Sequence, residues 1–201
     1  MTNKPLLISV TSLARGGKNT FCNLLKEELE TKFKLRTYKL SFAYYLKKDA
    51  ETYLKSLGFN IWQDKDKEKF RPFLVWLGNL RRQESNGMFF IDKVSKEIDL
   101  LKDGIDVFFL DDLRFANNFE YDELDFVKER GIVVHVSKYK EYGHLEDKLG
   151  NPVRIFDKPP NEFEAKNDPI LKAAADYWIV WQDQNGKTEK VMCNYCPPHN
   201  K

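Results

Sequence analysis

A turn near the N-terminus of the chain combines residue types that bind phosphate groups. The apolar segment Leu6–Thr11 is typical of a buried strand, and Ser12-Leu-Ala-Arg-Gly-Gly-Lys-Asn-Thr20 connects it to a helix predicted from about Gly17 to Phe33. In such a turn the backbone N–H groups and the helix N-terminus carry partial positive charge, and a Lys ammonium can reach phosphate oxygens. The spacing predicts a phosphate-binding loop made of Ser12, Arg15, Gly16, Gly17, Lys18, Asn19 and Thr20.

This loop departs from the usual G-x-x-x-x-G-K-[ST] pattern at two positions. Ser12 replaces the first Gly, and Asn19 stands where a hydroxyl residue usually binds Mg²⁺, with Thr20 one place later. Its placement between a strand and a helix favours a functional loop over an ordinary turn that contains Gly-Gly-Lys. The departures leave two interpretations open, a loop that supports phosphoryl transfer and one that binds a nucleotide or a partner without catalysis.

A second group of polar residues follows a predicted buried strand, in Val107-Phe-Phe-Leu-Asp-Asp-Leu-Arg114. Ligands of open α/β sheets lie at the carboxyl ends of the strands. A carboxylate there can hold Mg²⁺ or its waters, so Asp112 is predicted as a metal ligand and Arg114 as a contact to phosphate oxygens. The alternative is that Asp112 caps the next turn and pairs with Arg114.

A third group lies on one predicted helix. At about 100° per residue, Arg71, Gly78 and Arg82 fall close to one line on its surface. Arg is suited to bidentate phosphate recognition, and a Gly that costs a helix roughly 1 kcal/mol suggests the close approach of a ligand. These residues are predicted to bind substrate, the alternative being a solvated basic face.

Four segments in order resemble motifs of the phage-type deoxynucleoside monophosphate kinases. The loop up to Thr20 is similar to their R-S-G-K-D-T sequence, and Ser41-Phe-Ala-Tyr-Tyr-Leu-Lys47 to S-F-A-x-x-L-K. Asp112-Leu-Arg-Phe-Ala-Asn117 resembles D-V-R-F-P-N, and Ala174-Ala-Asp-Tyr-Trp-Ile179 resembles A-D-Y-x-I. The resemblance runs from residue 5 to about 183, but Ala116 replaces the family Pro. Asn118 likewise stands in place of the usual Glu.

The resemblance implies a P-loop kinase fold, three layers α/β/α with a mostly parallel sheet, which uses ATP and Mg²⁺ to phosphorylate a (deoxy)nucleoside monophosphate. It implies catalytic roles for Lys18, Asp112 and Arg114, with Thr20 and Asp112 at the metal, and Ser41 and Phe42 beside the acceptor nucleoside. A monophosphate acceptor is already anionic at neutral pH, so no general base is required. Kinase activity on another small metabolite remains the alternative.

The elements that must position these residues alternate along the chain. Helices are predicted at about 42–57, 70–80, 89–101 and 117–130, and further strands at about 35–41, 106–111, 132–136 and 177–181. This alternation predicts a single α/β domain whose parallel sheet is covered on both faces. Within it, 42–102 is the predicted acceptor-binding region, and the polar stretch 138–168 is predicted to be an aperiodic lid.

The composition excludes several other classes of protein. The 33 Lys+Arg nearly balance the 31 Asp+Glu of this 201-residue chain, which disfavours nucleic acid as a partner. No segment approaches the roughly 18 apolar residues of a membrane span, so a cytoplasmic protein is predicted, in the host cytoplasm if the chain is viral.

The cysteine and histidine residues allow few metal sites. A zinc site of Cys193, Cys196 and His199 would need a second copy of the chain, which leaves a homodimer open. Cys22 and His135 are predicted to be core residues, and His144 a loop residue.

Overall fold

A mixed, mostly parallel β-sheet forms the centre of the protein. The computed structural model describes residues 4–116, 118–146, 152–183 and 194–196. In these ranges the sheet has seven strands in the order β2-β3-β1-β4-β6-β7, with β5 paired to β4. The strands are β1 (Leu6–Thr11), β2 (Thr37–Leu40), β3 (Val107–Leu110), β4 (Gly131–Glu146), β5 (Pro152–Phe156), β6 (Tyr177–Gln182) and β7 (Asn194–Cys196).

The strand pairing brings the ends of β1 and β3 to one edge of the sheet. β1 is parallel to β3 on one side and to β4 on the other, with Ser9 opposite Leu110 and Thr11 opposite His135. The Ser9 hydroxyl donates a hydrogen bond to the Leu110 carbonyl (3.2 Å), which fixes this register inside the sheet. The turn after β1 and the polar residues after β3 therefore lie side by side.

Helices cover the sheet on both faces. They are α1 (Lys18–Thr31), α2 (Phe42–Leu54), α3 (Asp64–Lys69), α4 (Arg71–Glu84), α5 (Met88–Leu101), α6 (Glu123–Arg130) and α7 (Glu162–Ala174). α2 continues into one 3₁₀ turn, Lys55–Leu57, and Gly58 ends it with φ 80°, as expected of a C-terminal cap. These bounds agree with most of the predicted helices to within a few residues.

Alternate residues of the strands pack into two separate cores. Ile8, Val10 and Phe109 face α1, where they meet the buried Cys22, whereas Leu7 and its neighbours face α2, α5, α6 and α7. Each fully buried side chain of this kind contributes about 1.5–3 kcal/mol relative to exposure. The predicted three-layer α/β/α architecture is confirmed, and so is the core position of Cys22.

A smaller core holds together part of the region 42–102, which was predicted to bind the acceptor. Ala50 and Leu54 of α2 pack with Ile61 and with Leu77 of α4, and all four are at most 4% exposed. The two helices therefore form one rigid unit beside the end of the sheet.

The helix predicted at 117–130 begins six residues later than expected. The Asp122 carboxylate accepts the Leu124 N–H (3.0 Å), and the Asp125 carboxylate accepts the Asp122 N–H in return (3.0 Å). This capping box sets the start of α6 at Glu123. Asn117 lies outside the described residues.

The prediction of an aperiodic segment at 138–168 is wrong. β4 continues to Glu146, β5 returns antiparallel to it with Tyr139 opposite Phe156, and α7 begins at Glu162 after the cap residue Asn161. Strand β7, which was not predicted, pairs antiparallel with β6. The polarity of the segment arises from an edge hairpin with solvent on its surface, which composition alone does not separate from a loop.

Some predictions lie outside what the structure describes. Cys193 and His199 are not described, and only the backbone is described for Cys196 and His144. His144 belongs to β4 rather than to a loop. Among the described helices, none is long and apolar enough to cross a membrane.

Candidate active site

A cleft of about 910 Å³ opens at the edge where β1 and β3 end. Its walls are the turn after β1, the first turns of α2, one face of α4 and the residues after β3. The residues predicted from sequence that line it are Arg15, Gly16, Gly17, Lys18, Asn19, Thr20, Ser41, Phe42, Arg71, Gly78, Arg82, Asp112 and Arg114. Ser12 lies instead on a neighbouring cavity of about 20 Å³. The structure thus brings together residues from three predicted groups that are distant in sequence.

The phosphate loop depends on both of its glycines. Gly17 has φ 95°, in the left-handed region, and a Cβ added there would lie 1.8 Å from Cζ2 of Trp181. A Cβ on Gly16 would lie 2.3 Å from the Ser12 hydroxyl. Gly16 therefore makes room for the Ser that replaces the first Gly of the usual pattern, and Ser12 itself does not have a positive φ.

Lys18 spans this loop. Its Nζ donates hydrogen bonds to the carbonyl oxygens of Ser12 (2.8 Å) and Leu13 (3.2 Å). Burial lowers the pKa of Lys18, and the charge of Arg114 lowers it further, while Glu164 raises it. An anion bound beside Lys18 would favour its ammonium form.

The start of α1 has no cap from a side chain. Gly17 occupies the N-cap position, and the first turn contains no acidic residue. Asn19 and Thr20 are exposed in that turn and line the cleft. The N–H groups at this helix end are oriented as in an anion-binding helix N-terminus.

Asp112 is engaged by the start of α2. Its carboxylate accepts hydrogen bonds from the Ser41 hydroxyl (2.7 Å), the Phe42 N–H (3.1 Å) and the Ala43 N–H (2.7 Å). Burial raises the pKa of Asp112, although these hydrogen bonds oppose the rise. Asp112 therefore has the capping role that was the alternative to metal binding. It caps the start of α2, however, and not the turn that follows Asp112.

Asp111 is the other carboxylate that follows β3. Its side chain is 10% exposed, lies 2.5 Å from Lys39 Nζ and lines the cleft. It sits at the end of β3, as the open-sheet rule requires of a ligand-binding residue.

Arg114 pairs with a residue that sequence reasoning missed. Its Nη1 lies 3.6 Å from the Glu164 carboxylate, and Glu164 also accepts the Ala14 N–H of the phosphate loop (2.7 Å). Glu164 thus connects α7 to Arg114 and to the phosphate loop at Ala14. An acidic residue in the first turn of a helix after Asn161 was the available signal, and the aperiodic interpretation of this segment hid it.

Arg82 is built into the wall of the cleft. Its Nη2 donates to the Glu123 carboxylate (2.7 Å) and its Nη1 to the Gly78 carbonyl (3.3 Å). Its guanidinium lies 3.7 Å from the ring centre of Phe115 and 4.6 Å from that of Phe90. Burial raises the pKa of Glu123, against the opposing effect of Arg82.

The other predicted residues of α4 also have neighbours within the protein. A Cβ on Gly78 would lie 3.2 Å from Arg82 Nη1 and 3.4 Å from Leu46 Cδ2, so Gly78 accommodates these side chains at the cleft surface. Arg71 is exposed and bonded to Glu68 (2.5 Å). Both arginines of α4 thus have carboxylate partners within the protein, and their role in binding substrate stays a prediction.

His135 is a core histidine, as predicted. It is 2% exposed, its Nε2 lies 3.1 Å from the Asp168 carboxylate, and its Nδ1 lies 3.1 Å from the Ser137 hydroxyl. Asp168 belongs to α7, so this contact ties α7 to β4 beside the site.

Comparison of the sequence with known proteins finds no relative. A scan against protein-family models finds no match, and no curated protein matches the sequence. The chain is an α/β protein with a mostly parallel mixed sheet.

Proposed function

We propose that the protein transfers the γ-phosphoryl group of ATP to a (deoxy)nucleoside monophosphate. The observation that carries the proposal is the cleft itself, in which the Lys18 loop, the start of α2 and the polar end of β3 share one space. A phosphoryl donor and an acceptor must be held in such a common space, since catalysis of this transfer is mainly positioning and charge neutralisation.

The charges of the cleft support a polyanionic ligand. Its lining includes Arg15, Lys18 and Lys47, and in the described part of the chain no carboxylate pairs with any of them. Its two acidic residues are both engaged, Asp111 by Lys39 and Asp112 by the start of α2. The phosphates of ATP would enter a region whose unpaired charges are positive.

The residues present also fit Mg²⁺, which usually binds through one or two carboxylates together with substrate phosphates. The Thr20 hydroxyl and the Asp111 carboxylate both line the cleft and would hold the ion. Asp112, predicted as the metal ligand, fits less well because both of its oxygens accept hydrogen bonds from α2. Bound Mg²⁺ would neutralise charge on the phosphates, and we assign Asp112 to holding α2.

The remaining walls suit a nucleoside. Phe42, Leu46, Leu74 and Phe115 supply apolar surface between the loop and α4. The phosphate of a monophosphate acceptor is anionic at neutral pH and attacks without a general base. Lys18, Arg15 and Arg114 would then neutralise the charge that builds up during transfer.

A coupled assay of ADP release across the nucleoside monophosphates tests the proposal. Lys18→Ala should lower the rate by at least about 10²-fold, because it removes the half-buried cation of the loop. Lys26→Ala is the matched control, since this lysine of the same helix α1 lies outside the cleft lining and pairs with Glu30, and its rate should stay within a few fold of wild type. Folded protein that binds ATP yet phosphorylates no monophosphate would reject the acceptor.

A hydroxylated metabolite is the second candidate acceptor. Asp111 favours it, because a hydroxyl must lose a proton and this carboxylate lines the cleft. Turnover of a hydroxylated acceptor, together with no turnover of any nucleoside monophosphate, would support this candidate over the first.

A further inference from the structure

We propose that Trp181 is a positioning residue of the nucleotide site, whose indole fixes the orientation of the Gly16–Gly17 peptide in the phosphate loop. The inference rests on the proposed function only in that the loop binds phosphate groups, and it is independent of the acceptor.

The contacts of Trp181 converge on the loop. Its indole Nε1–H donates a hydrogen bond to the Gly16 carbonyl (3.2 Å), across 165 residues of sequence. Its six-membered ring lies so close to Gly17 that a Cβ there would overlap it. The ring also meets Phe21, near the start of α1, edge to face at 6.5 Å. Trp181 is 6% exposed and also belongs to the core on the α1 face of the sheet, which fixes the position of its ring.

The hydrogen bond to Gly16 has a consequence on the opposite side of the peptide. A peptide unit is planar and trans, so its C=O and N–H point in opposite directions. With the Gly16 carbonyl directed to the indole, the Gly17 N–H points away from Trp181. A donor is then offered on the side of the loop away from the sheet, where Gly16, Gly17 and Lys18 line the cleft.

Because Gly16 and Gly17 are consecutive glycines, the orientation of the peptide between them depends on contacts from outside the loop. Gly adopts positive and negative φ with similar ease, so a Gly-Gly peptide can rotate and exchange its N–H for its carbonyl. A carbonyl facing the cleft would repel phosphate oxygens. The indole opposes that rotation through its hydrogen bond and through the space that it occupies beside Gly17.

Trp178 provides a matched control on the same strand. Its indole Nε1–H also donates to a backbone carbonyl, that of Lys172 (2.8 Å), but it packs in the other core against α7. Replacing either Trp by Phe keeps an aromatic ring and removes one hydrogen bond of the same kind. Only the change at position 181 affects the loop.

The experiment measures binding of ATP, and separately of inorganic tripolyphosphate, by calorimetry without any acceptor. Trp181→Phe should weaken both by about 3- to 12-fold, the range that corresponds to one net hydrogen bond. Trp178→Phe should bind both within about twofold of wild type, even if the two variants lose similar thermal stability. Equal affinities in the two variants would overturn the proposal.

A second measurement uses the unmodified protein and covers a Trp181 variant that fails to fold. Proton–nitrogen NMR resolves the indole N–H groups of the four tryptophans. Trp62→Phe, Trp76→Phe and Trp178→Phe each identify one signal, and the fourth belongs to Trp181. Added tripolyphosphate should shift the Trp181 signal while the Trp178 signal stays in place, and an unmoved Trp181 signal would contradict the inference. If these results hold but no monophosphate is phosphorylated, the proposed function fails and the role of Trp181 stands.

Discussion

The two sides of the cleft hold their cations in different ways. On the loop wall, defined by Arg15 and Lys18, no ion pair joins either cation to a carboxylate in the described part of the chain. On the α4 wall, defined by Arg71 and Arg82, each guanidinium has a carboxylate partner, Glu68 or Glu123. An anion can bind the loop wall directly, whereas on the α4 wall it must compete with a carboxylate that is already in place.

This difference separates two uses of a basic residue. Arg82 is 8% exposed and is held between the rings of Phe90 and Phe115, so its charge organises the protein. Glu123 also accepts the Arg114 N–H (3.4 Å), through which Arg82 supports the polar end of β3. We infer that the loop wall binds phosphates and that the α4 wall shapes the space for the acceptor.

The largest expected effect is on stability, at the α4 wall. Glu123→Ala leaves the buried Arg82 guanidinium without its partner and should cost about 3–5 kcal/mol of unfolding free energy in urea titrations. The double change Arg82→Met with Glu123→Leu should recover much of this loss. Arg71→Ala, at the exposed pair, should leave the urea midpoint unchanged.

The same variants can break the comparison. If Arg82→Met raises the KM for the acceptor and leaves the free energy of unfolding unchanged, Arg82 binds phosphate as the loop wall does, and the distinction between the walls fails.

A smaller effect is expected at Asp112, which holds α2 between the two walls. Burial raises its pKa, so the folded protein keeps a proton there at pH values where the unfolded chain has lost it. The free energy of unfolding contributed by this carboxyl therefore falls as pH rises from the ordinary value of 3.8 through the folded pKa.

Asp112→Asn removes this titration and one acceptor of the helix cap. Near pH 4 the variant should be less stable than wild type by about 1 kcal/mol, and the gap should narrow as pH rises. Urea titrations at several pH values measure the gap, with Asp111→Asn as the control beside Lys39. A gap that is constant with pH would show that Asp112 does not titrate differently in the folded state.

The smallest effect is expected at Glu164, whose carboxylate accepts the Ala14 N–H of the phosphate loop and lies 3.6 Å from Arg114 Nη1. Glu164→Gln keeps an acceptor for the Ala14 N–H and removes the charge that competes for Arg114. Since Arg114 is half-exposed, the KM for ATP should fall by only about two- to threefold. Glu162→Gln, in the same turn of α7, is the control. A raised KM in Glu164→Gln would mean that its charge assists binding.

Sequence patterns predict those features of this protein that are determined by residues close together in the sequence. The alternation of strands and helices, the Lys18 loop and the polar end of β3 follow from residue order, and the structure bears out their mutual placement. The late start of α6 also had a local signal, the Asp122 and Asp125 capping box, which helical periodicity obscured.

The partners of the site residues were not predictable in this way. Glu123 lies 41 residues from Arg82, and Glu164 lies 150 residues from Ala14. The pairing of Arg82 is decided by how distant elements pack, and its local sequence does not show it. Glu68, three residues before Arg71, was a local signal for the other pair, but the shared helix face of Arg71 and Arg82 drew the prediction towards a ligand instead.

The contact between Trp181 and the phosphate loop also sets an order of events during synthesis. The loop is made before its indole support, which follows 165 residues after Gly16. A nascent chain that has reached only α6 contains Lys18 and both glycines without the residue that orients their peptide. If the loop binds phosphate groups as proposed, that binding is expected to strengthen when β6 joins the sheet.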